Sequence, residues 1–305
     1  MNRSALLPAL VPLLAAALAC DDGTGPDTRR FPVRGSVQDA VTNTRLRIYD
    51  DNLTEQDVVG VQVRPDGSFG PLALPEGTFF AAATASGFTS GQFTRIDVEA
   101  TEDDTLEIDL DVDPITVPLT VGLRWDYDEI TFSPADTSTV TVEIVAQQPG
   151  TGVPAVFTVE ERRTDPLTGA GQTTTYFLAQ DGSSTPGIRK SADTTIDAED
   201  ELLLRLPAAL GTSWTTVEFE SGASTIKRIQ ALDCNDERCS ETDDFVIAQE
   251  PAGTFMSVSV LYTADGLSFI TVFSDIGIVD SSIQDASGNL ILQRKLRSSS
   301  LLPGA

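Results

Sequence analysis

The segment Leu106-Glu107-Ile108-Asp109-Leu110-Asp111-Val112-Asp113 alternates apolar and acidic residues without a break. A period of two belongs to a β-strand with one face on a core, which puts Leu106, Ile108, Leu110 and Val112 inward and four carboxylates outward. Further strands are predicted at Pro32–Gln38, Val58–Arg64, Thr78–Thr84 and Phe93–Glu99, separated by Gly, Pro, Asn and Asp turns. Beyond residue 116 a meander of strands is predicted at Thr215–Phe219, Thr225–Leu232, Asp244–Gln249, Thr254–Tyr262, Ser268–Ser274, Gly277–Gln284 and Leu290–Leu296. Its turns fall at Ser221-Gly222, Pro251-Ala252-Gly253, Asp265-Gly266, 275–277 and Ser287-Gly288-Asn289. A short helix at Ala198–Leu206 is the one departure from the β pattern. Both tryptophans follow a glycine by three residues, in Gly122-Leu-Arg-Trp125 and Gly211-Thr-Ser-Trp214, and each leads into a strand. The match suits two similar β halves and is also short enough for coincidence. The chain therefore reads as all-β, with a sandwich over 31–114, a larger antiparallel β domain over 115–298 and a flexible tail over 299–305.

The N-terminus follows a different pattern. Arg3 supplies a positive charge, and Ala5–Ala19 is an unbroken run of Ala, Leu, Val and Pro. Fifteen residues are short of the roughly 20 that a membrane-spanning helix needs, and Pro8 and Pro12 weaken a helix further, so the run reads as an export signal over 1–19. Ala17-Leu18-Ala19-Cys20 resembles the lipobox of bacterial lipoproteins, in which a small residue precedes the lipid-bearing cysteine. The resemblance implies lipidation at Cys20, anchorage to a bacterial membrane and exposure at the periplasmic face or cell surface. Two or three acyl chains at about 0.8 kcal/mol per buried methylene would hold the chain firmly. Plain signal cleavage after Ala19 is the alternative. Residues 20–30, polar and broken by Gly and Pro, read as a tether.

The order Asp66-Gly67-Ser68-Phe69, Leu74-Pro75-Glu76-Gly77-Thr78-Phe79 and Ala85-Ser86-Gly87-Phe88 resembles the carboxypeptidase regulatory-like domain. That family is a seven-stranded transthyretin-type sandwich, and the resemblance implies a non-catalytic accessory module related to carbohydrate-binding folds. Residues 39–57 read as a polar insert in place of one family strand. Farther on, Pro251-Ala-Gly-Thr-Phe255, Asp265-Gly266, Phe273-Ser-Asp-Ile-Gly277 and Gly288-Asn-Leu resemble a group of bacterial envelope lipoproteins similar to periplasmic lipoprotein carriers. This implies a curved sheet or half-barrel with a concave face. The helical lid of such carriers has no convincing counterpart here.

Composition narrows the chemistry. The chain of 305 residues has 46 Asp and Glu against 20 Lys and Arg, a formal charge of −26, so it repels phosphate backbones and no nucleic-acid partner is expected. It contains no histidine, which removes Ser-His-Asp and Cys-His hydrolases, His-ligated zinc and the commonest general base. Cys234 and Cys239 are the only cysteines besides Cys20, and in an exported chain they read as a local disulfide. Around them, Asp233, Asp236, Glu237, Glu241, Asp243 and Asp244 are weak calcium (Ca2+) candidates, with exposed acidic loops as the plainer reading. No other cofactor and no catalytic residue is expected. Phe132, Phe157, Tyr176, Phe177, Phe219, Phe255, Tyr262, Phe269 and Phe273 fit sandwich core better than a ligand groove. The function expected is a non-catalytic, lipid-anchored envelope module that binds or braces a protein or glycan partner. The alternatives are a carrier or sensor of an apolar or carbohydrate ligand in the C-terminal concavity and, least favoured, a carboxylate-dependent glycan hydrolase.

Overall fold

The computed structural model describes residues 30–58, 61–99, 106–151, 153–182, 186–209, 211–219, 221–230, 239–241 and 246–302. Among the described residues every regular element is a strand. The first eight are β1 (Phe31–Gln38), β2 (Arg45–Tyr49), β3 (Ser68–Leu74), β4 (Gly77–Ala85), β5 (Phe88–Thr89), β6 (Thr94–Val98), β7 (Leu106–Asp111) and β8 (Asp113–Pro114). One sheet runs β3-β1-β7, with β7 parallel to β1, and a second runs β2-β4-β5-β8, with β6 also on β4. Val33, Val37, Phe69, Leu72, Ile108 and Leu110 of the first sheet pack onto Leu46, Ile48, Phe79, Ala81, Ala83 and Ile96 of the second. This is a sandwich core, and the acids Glu107, Asp109 and Asp111 face solvent as the alternation requires.

The sandwich departs from the sequence pattern at two places. Residues 39–57 are not simply an insert, because they contain β2. Its sequence Arg-Leu-Arg-Ile-Tyr hides the pattern, since Arg47 is itself buried, with its guanidinium 3.0 Å from Glu55 and its Nε donating to Thr84 Oγ1. The strand expected at Val58–Arg64 is reduced, in its described residues, to a single bridge between Gln62 and Arg45. Val58, Val61 and Val63 pack on the sandwich core, and the described residues of this stretch form no ladder.

The remaining strands are β9 (Arg124–Phe132), β10 (Ala135–Pro149), β11 (Ala155–Thr164), β12 (Gly171–Asp181), β13 (Gly187–Ser191), β14 (Glu201–Arg205), β15 (Ser213–Val217), β16 (Ser224–Gln230), β17 (Cys239–Glu241), β18 (Val246–Glu250), β19 (Gly253–Ala264), β20 (Leu267–Ser274), β21 (Gly277–Gln284) and β22 (Leu290–Ser299). Twelve of them form one antiparallel path, β14-β13-β12-β11-β10-β9-β22-β21-β20-β19-β16-β15, with β18 on β19 and β17 on β18. The helix expected at Ala198–Leu206 is a correction: 201–205 is strand β14. Glu201 and Leu203 alternate with Leu202 and Leu204, and neighbouring strands claim its backbone, so period two prevails over period 3.6.

The two ends of this path, β14 and β15, lie side by side and nearly close the sheet into a barrel. No main-chain ladder joins them among the described residues. Side chains bridge the seam instead. The Trp214 indole donates to the Leu202 carbonyl (2.8 Å), the Leu202 N–H donates to Thr216 Oγ1 (2.7 Å), Arg205 donates to the Ser213 carbonyl (3.1 Å) and the Phe219 N–H donates to Glu201 Oε2 (3.2 Å). An open sheet edge leaves a row of unpaired backbone groups, and these bonds satisfy part of that row.

The Gly-x-x-Trp pair marks equivalent places in the barrel. Gly122 and Gly211 both have positive φ, 91° and 79°, which a residue bearing a Cβ tolerates poorly. Each donates its N–H to a fully buried isoleucine, Gly122 to the Ile144 carbonyl (2.8 Å) and Gly211 to the Ile229 carbonyl (2.9 Å). Each tryptophan then pairs with the residue two before that isoleucine, Trp125 with Val142 and Trp214 with Lys227. Both indoles donate to backbone carbonyls, Trp125 to that of Ile276 at 2.7 Å. The likeness of the two halves is therefore geometric as well as sequential.

The sandwich caps one barrel end. The Met256 N–H donates to the Gly91 carbonyl (2.9 Å), Gln92 bridges Phe255, and Tyr49, Ala82, Ile115 and Val117 share one apolar cluster with Trp125, Phe255, Phe273 and Ile276. Gly91 is tightly seated, since a Cβ there would fall 2.2 Å from Asp275 Oδ1. Burial pushes the Asp275 carboxyl above its usual range; the Ser274 hydroxyl opposes the shift and the Asp113 charge adds to it.

Two outcomes follow from these contacts. Trp214→Phe keeps the ring and strands the buried Leu202 carbonyl, so urea unfolding should show a loss of about 1–2 kcal/mol. Asp275 binds its proton more tightly folded than unfolded, so its contribution to stability falls as pH rises from the ordinary aspartate range through its raised value. Asp275→Asn should therefore raise the melting temperature over wild type by more at about pH 7.5 than at about pH 4.5.

Candidate functional site

Alternation along the barrel strands sends one set of side chains into the lumen, and that set changes character along the axis. Toward the sandwich end lie Trp125, Ile144, Leu178, Trp214, Ile229, Val258, Phe273 and Leu296, all buried in the same apolar cluster. Toward the other end come Glu129, Glu161, Arg163, Lys190, Glu201, Lys227 and Arg294. Two cavities follow this gradient. The inner one, about 130 Å³, is lined by Val117, Trp125, Tyr127, Val142, Tyr176 and Leu178 among others. The outer one, about 320 Å³, is lined by these charged residues except Glu161, which lines the inner one, together with Glu218, Tyr262, Phe269, Ser281 and Ser282. Lys190, Leu203, Ile278 and Arg294 border both, so the two spaces meet at those side chains.

The charges are extensively paired. Glu129, almost wholly buried, accepts from Arg163 (2.9 Å), from Arg294 (2.8 Å) and from the Ser138 hydroxyl (3.2 Å). Arg294 also reaches Glu161 at 2.9 Å and lies over the Tyr127 ring. Burial opposes the Arg294 charge, but the Glu161 and Glu129 carboxylates outweigh it and raise its pKa further. Lys227 and Glu201, both buried, meet at 2.5 Å, with the Lys227 ammonium over the Tyr262 ring. Glu218 accepts from the Tyr262 hydroxyl (2.5 Å) and from Ser221. Tyr262 stacks on Phe269 with centroids 4.7 Å apart. Burial pushes the Tyr127 and Tyr176 phenols well above their usual range, so both stay neutral.

Lys190 stands apart. Its ammonium lies 4.6 Å from the Tyr176 centroid and 4.5 Å from that of Phe219, and among the described residues no carboxylate forms an ion pair with it.

The residues anticipated from sequence divide. Tyr176, Phe219, Tyr262 and Phe269 belong to the cavity or its rim, whereas Phe157, Phe255 and Phe273 are core, Phe177 packs on a small outer cluster and Phe132 is exposed. This corrects the expectation that all nine are core: strand parity, combined with the incomplete filling of a twelve-strand barrel, turns some of them toward open space. Glu201, within the segment expected as a short helix, points inward to Lys227, while Asp193, Asp197 and Asp200 cap local turns. Cys20, Cys234, Asp233, Asp236, Glu237, Asp243 and Asp244 lie outside the described residues. Cys239 and Glu241 are described only as part of the β17 backbone. Lys190, Arg294 and Glu129 were not singled out in the sequence. The signal for Arg294 and Glu129 is a charged residue at the inward parity of a strand that is otherwise apolar on that face.

The fold and lumen define an all-β protein in which a sandwich caps a nearly closed barrel with an apolar floor and a charged mouth. No protein-family model matches the chain, and no curated protein matches it. It is distantly similar to two solved structures, each over 61% of its length. One is a candidate lipoprotein from Parabacteroides distasonis ATCC 8503, 10% identical and covered over 98% of its own chain, with a TM-score of 0.34. The other is a candidate exported protein with a YmcC-like fold from Bacteroides fragilis NCTC 9343, 12% identical and covered over 99%, with a TM-score of 0.36.

The Lys227–Glu201 pair gives a direct test of the lumen's electrostatics. Lys227→Met strands a buried carboxylate and should cost about 3–5 kcal/mol in urea unfolding. Adding Glu201→Gln, which removes the stranded charge, should restore most of that loss.

Proposed function

We propose that this is a non-catalytic envelope protein, exported and lipid-anchored through Cys20, whose barrel receives a small ligand in its lumen. The connected pair of cavities carries this reading. Trp125, Tyr127, Tyr176, Tyr262 and Phe269 line them, and binding sites are typically apolar concavities with a few placed polar groups. A structural accessory would have no use for a charged lumen, since buried ion pairs are weak sources of stability. The carrier or sensor role therefore has more support than the bracing role. Catalysis has little, because Glu129, Glu161 and Glu201 are each held by Arg or Lys and Glu218 is engaged by the Tyr262 and Ser221 hydroxyls. The outer face of the barrel carries Arg124, Asp126, Asp128, Arg162, Lys295 and Arg297, where a membrane-spanning barrel needs an apolar band. Contact with the membrane falls instead to the lipid on Cys20, with the sandwich as the contact for an envelope protein or glycan.

The test uses wild type and Cys20→Ser expressed in a lipoprotein-competent bacterium. The wild type should fractionate with membranes and carry a lipid-sized mass increment, with both lost in the variant. Native mass spectrometry of the soluble Cys20→Ser form should show a non-covalent small molecule that leaves on denaturation. A soluble, unmodified wild type would overturn the anchor. An empty protein that stays empty after incubation with envelope extract would overturn the carrier reading.

A further inference from the structure

From the lumen's charge pattern we infer that the ligand is a small aromatic or branched aliphatic monocarboxylate, with its carboxylate at Lys190 and its apolar part in the inner cavity. This rests on the lumen being a binding site and says what chemistry that site selects.

Each of the other three lumenal cations is matched by a carboxylate: Arg163 by Glu129, Arg294 by Glu129 and Glu161, and Lys227 by Glu201. Only Lys190 is held by ring faces alone among the described residues. Cation–π contact attracts an ammonium without neutralising it, so an incoming anion gains the full charge–charge attraction in a partly desolvated site. Among the described residues Lys190 is thus the one lumenal cation without a carboxylate, while Glu218, the lumenal carboxylate without a cation, is held by the Tyr262 and Ser221 hydroxyls, so the site offers one positive charge to one negative charge. A dianion would bring its second charge toward Glu129, Glu161, Glu201 and Glu218, the last of which no cation among the described residues offsets.

The position of Lys190 sets the rest of the molecule. It borders the outer and the inner cavity, so an anion bound there has the inner cavity beneath it. That space, about 130 Å³, is floored by Val117 and walled mainly by Trp125, Tyr127, Val142, Val159 and Leu178; besides Lys190 its charged lining residues are Glu161 and Arg294, which are paired with each other. A cavity of about 150 Å³ accommodates benzene, so one ring or a short branched chain is the appropriate size. The Tyr127 hydroxyl is engaged with the Ile278 carbonyl (2.9 Å), which leaves apolar surface as the wall's main offering.

The probes are 3-phenylpropionate and its uncharged analogue 3-phenylpropan-1-ol, titrated into the full mature chain carrying Cys20→Ser. Tryptophan fluorescence reports on binding through Trp125, and calorimetry confirms it. The carboxylate should bind wild type at least tenfold more tightly than the alcohol. Lys190→Gln should weaken the carboxylate at least tenfold and leave the alcohol and the melting temperature nearly unchanged. Equal binding of both probes, unaffected by Lys190→Gln, would overturn the carboxylate inference while leaving the lumen as a binding site. Binding of neither probe at millimolar concentration would overturn the inference together with the reading on which it rests. Weakening of both probes by Lys190→Gln would assign the lysine a purely structural role and also overturn it.

Discussion

A sheet of this length has to dispose of its two edges, and here they meet without a regular ladder. The closure of β14 on β15 depends on side chains, chiefly the Trp214 indole and the Thr216 hydroxyl, both bonded to the backbone of Leu202. Everything inside the barrel depends on this seam. It brings Glu201 within reach of Lys227 and the Phe219 N–H, and it brings the Phe219 ring over Lys190. On the far side of the barrel, β9 and β22 pair by ordinary main-chain bonds from Trp125–Ser299 to Thr131–Leu292. One joint between the halves is thus backbone and the other is side chain, so the second is the weaker place in the wall.

The charged mouth follows from closure. Carboxylates and guanidinium groups on an open concave face would be solvated and weakly coupled, whereas inside a nearly closed wall they lose water and must find each other. Arg294 satisfies this by spanning Glu129 and Glu161, and Lys227 does so with Glu201. The apolar floor has a different origin. There the sandwich and the connecting segment supply Tyr49, Ile115 and Val117, which cover barrel residues that would otherwise be exposed at an open end. The two units are therefore interdependent, since the connecting segment completes the lumen's inner cavity with Val117 and the sandwich packs against the same apolar cluster.

Much of the architecture was legible in the residues. The strands after Trp214 fall close to their predicted places because apolar runs there are bounded by Gly turns such as Asp265-Gly266 and Ser287-Gly288-Asn289. The five strands from 124 to 191 were not delimited, because toward the mouth both faces are polar. On β11, Glu161 and Arg163 face inward while Glu160 and Arg162 face outward, which erases the period-two contrast. β2 was missed for a related reason, a buried arginine at a position where a buried strand would normally carry an apolar residue. The lumen was the least legible feature. Lys190 and Glu201 look like ordinary surface charges until strand pairing places them beside Tyr176 and Lys227, contacts that join residues far apart in sequence.

Diffraction from crystals grown with 3-(4-bromophenyl)propionate would test the central claim, that this barrel encloses a ligand site, most directly. The account predicts an anomalous bromine peak among Val117, Trp125 and Leu178, with carboxylate density at Lys190. Bromine found only on the outer surface, with both cavities holding water alone, would contradict it.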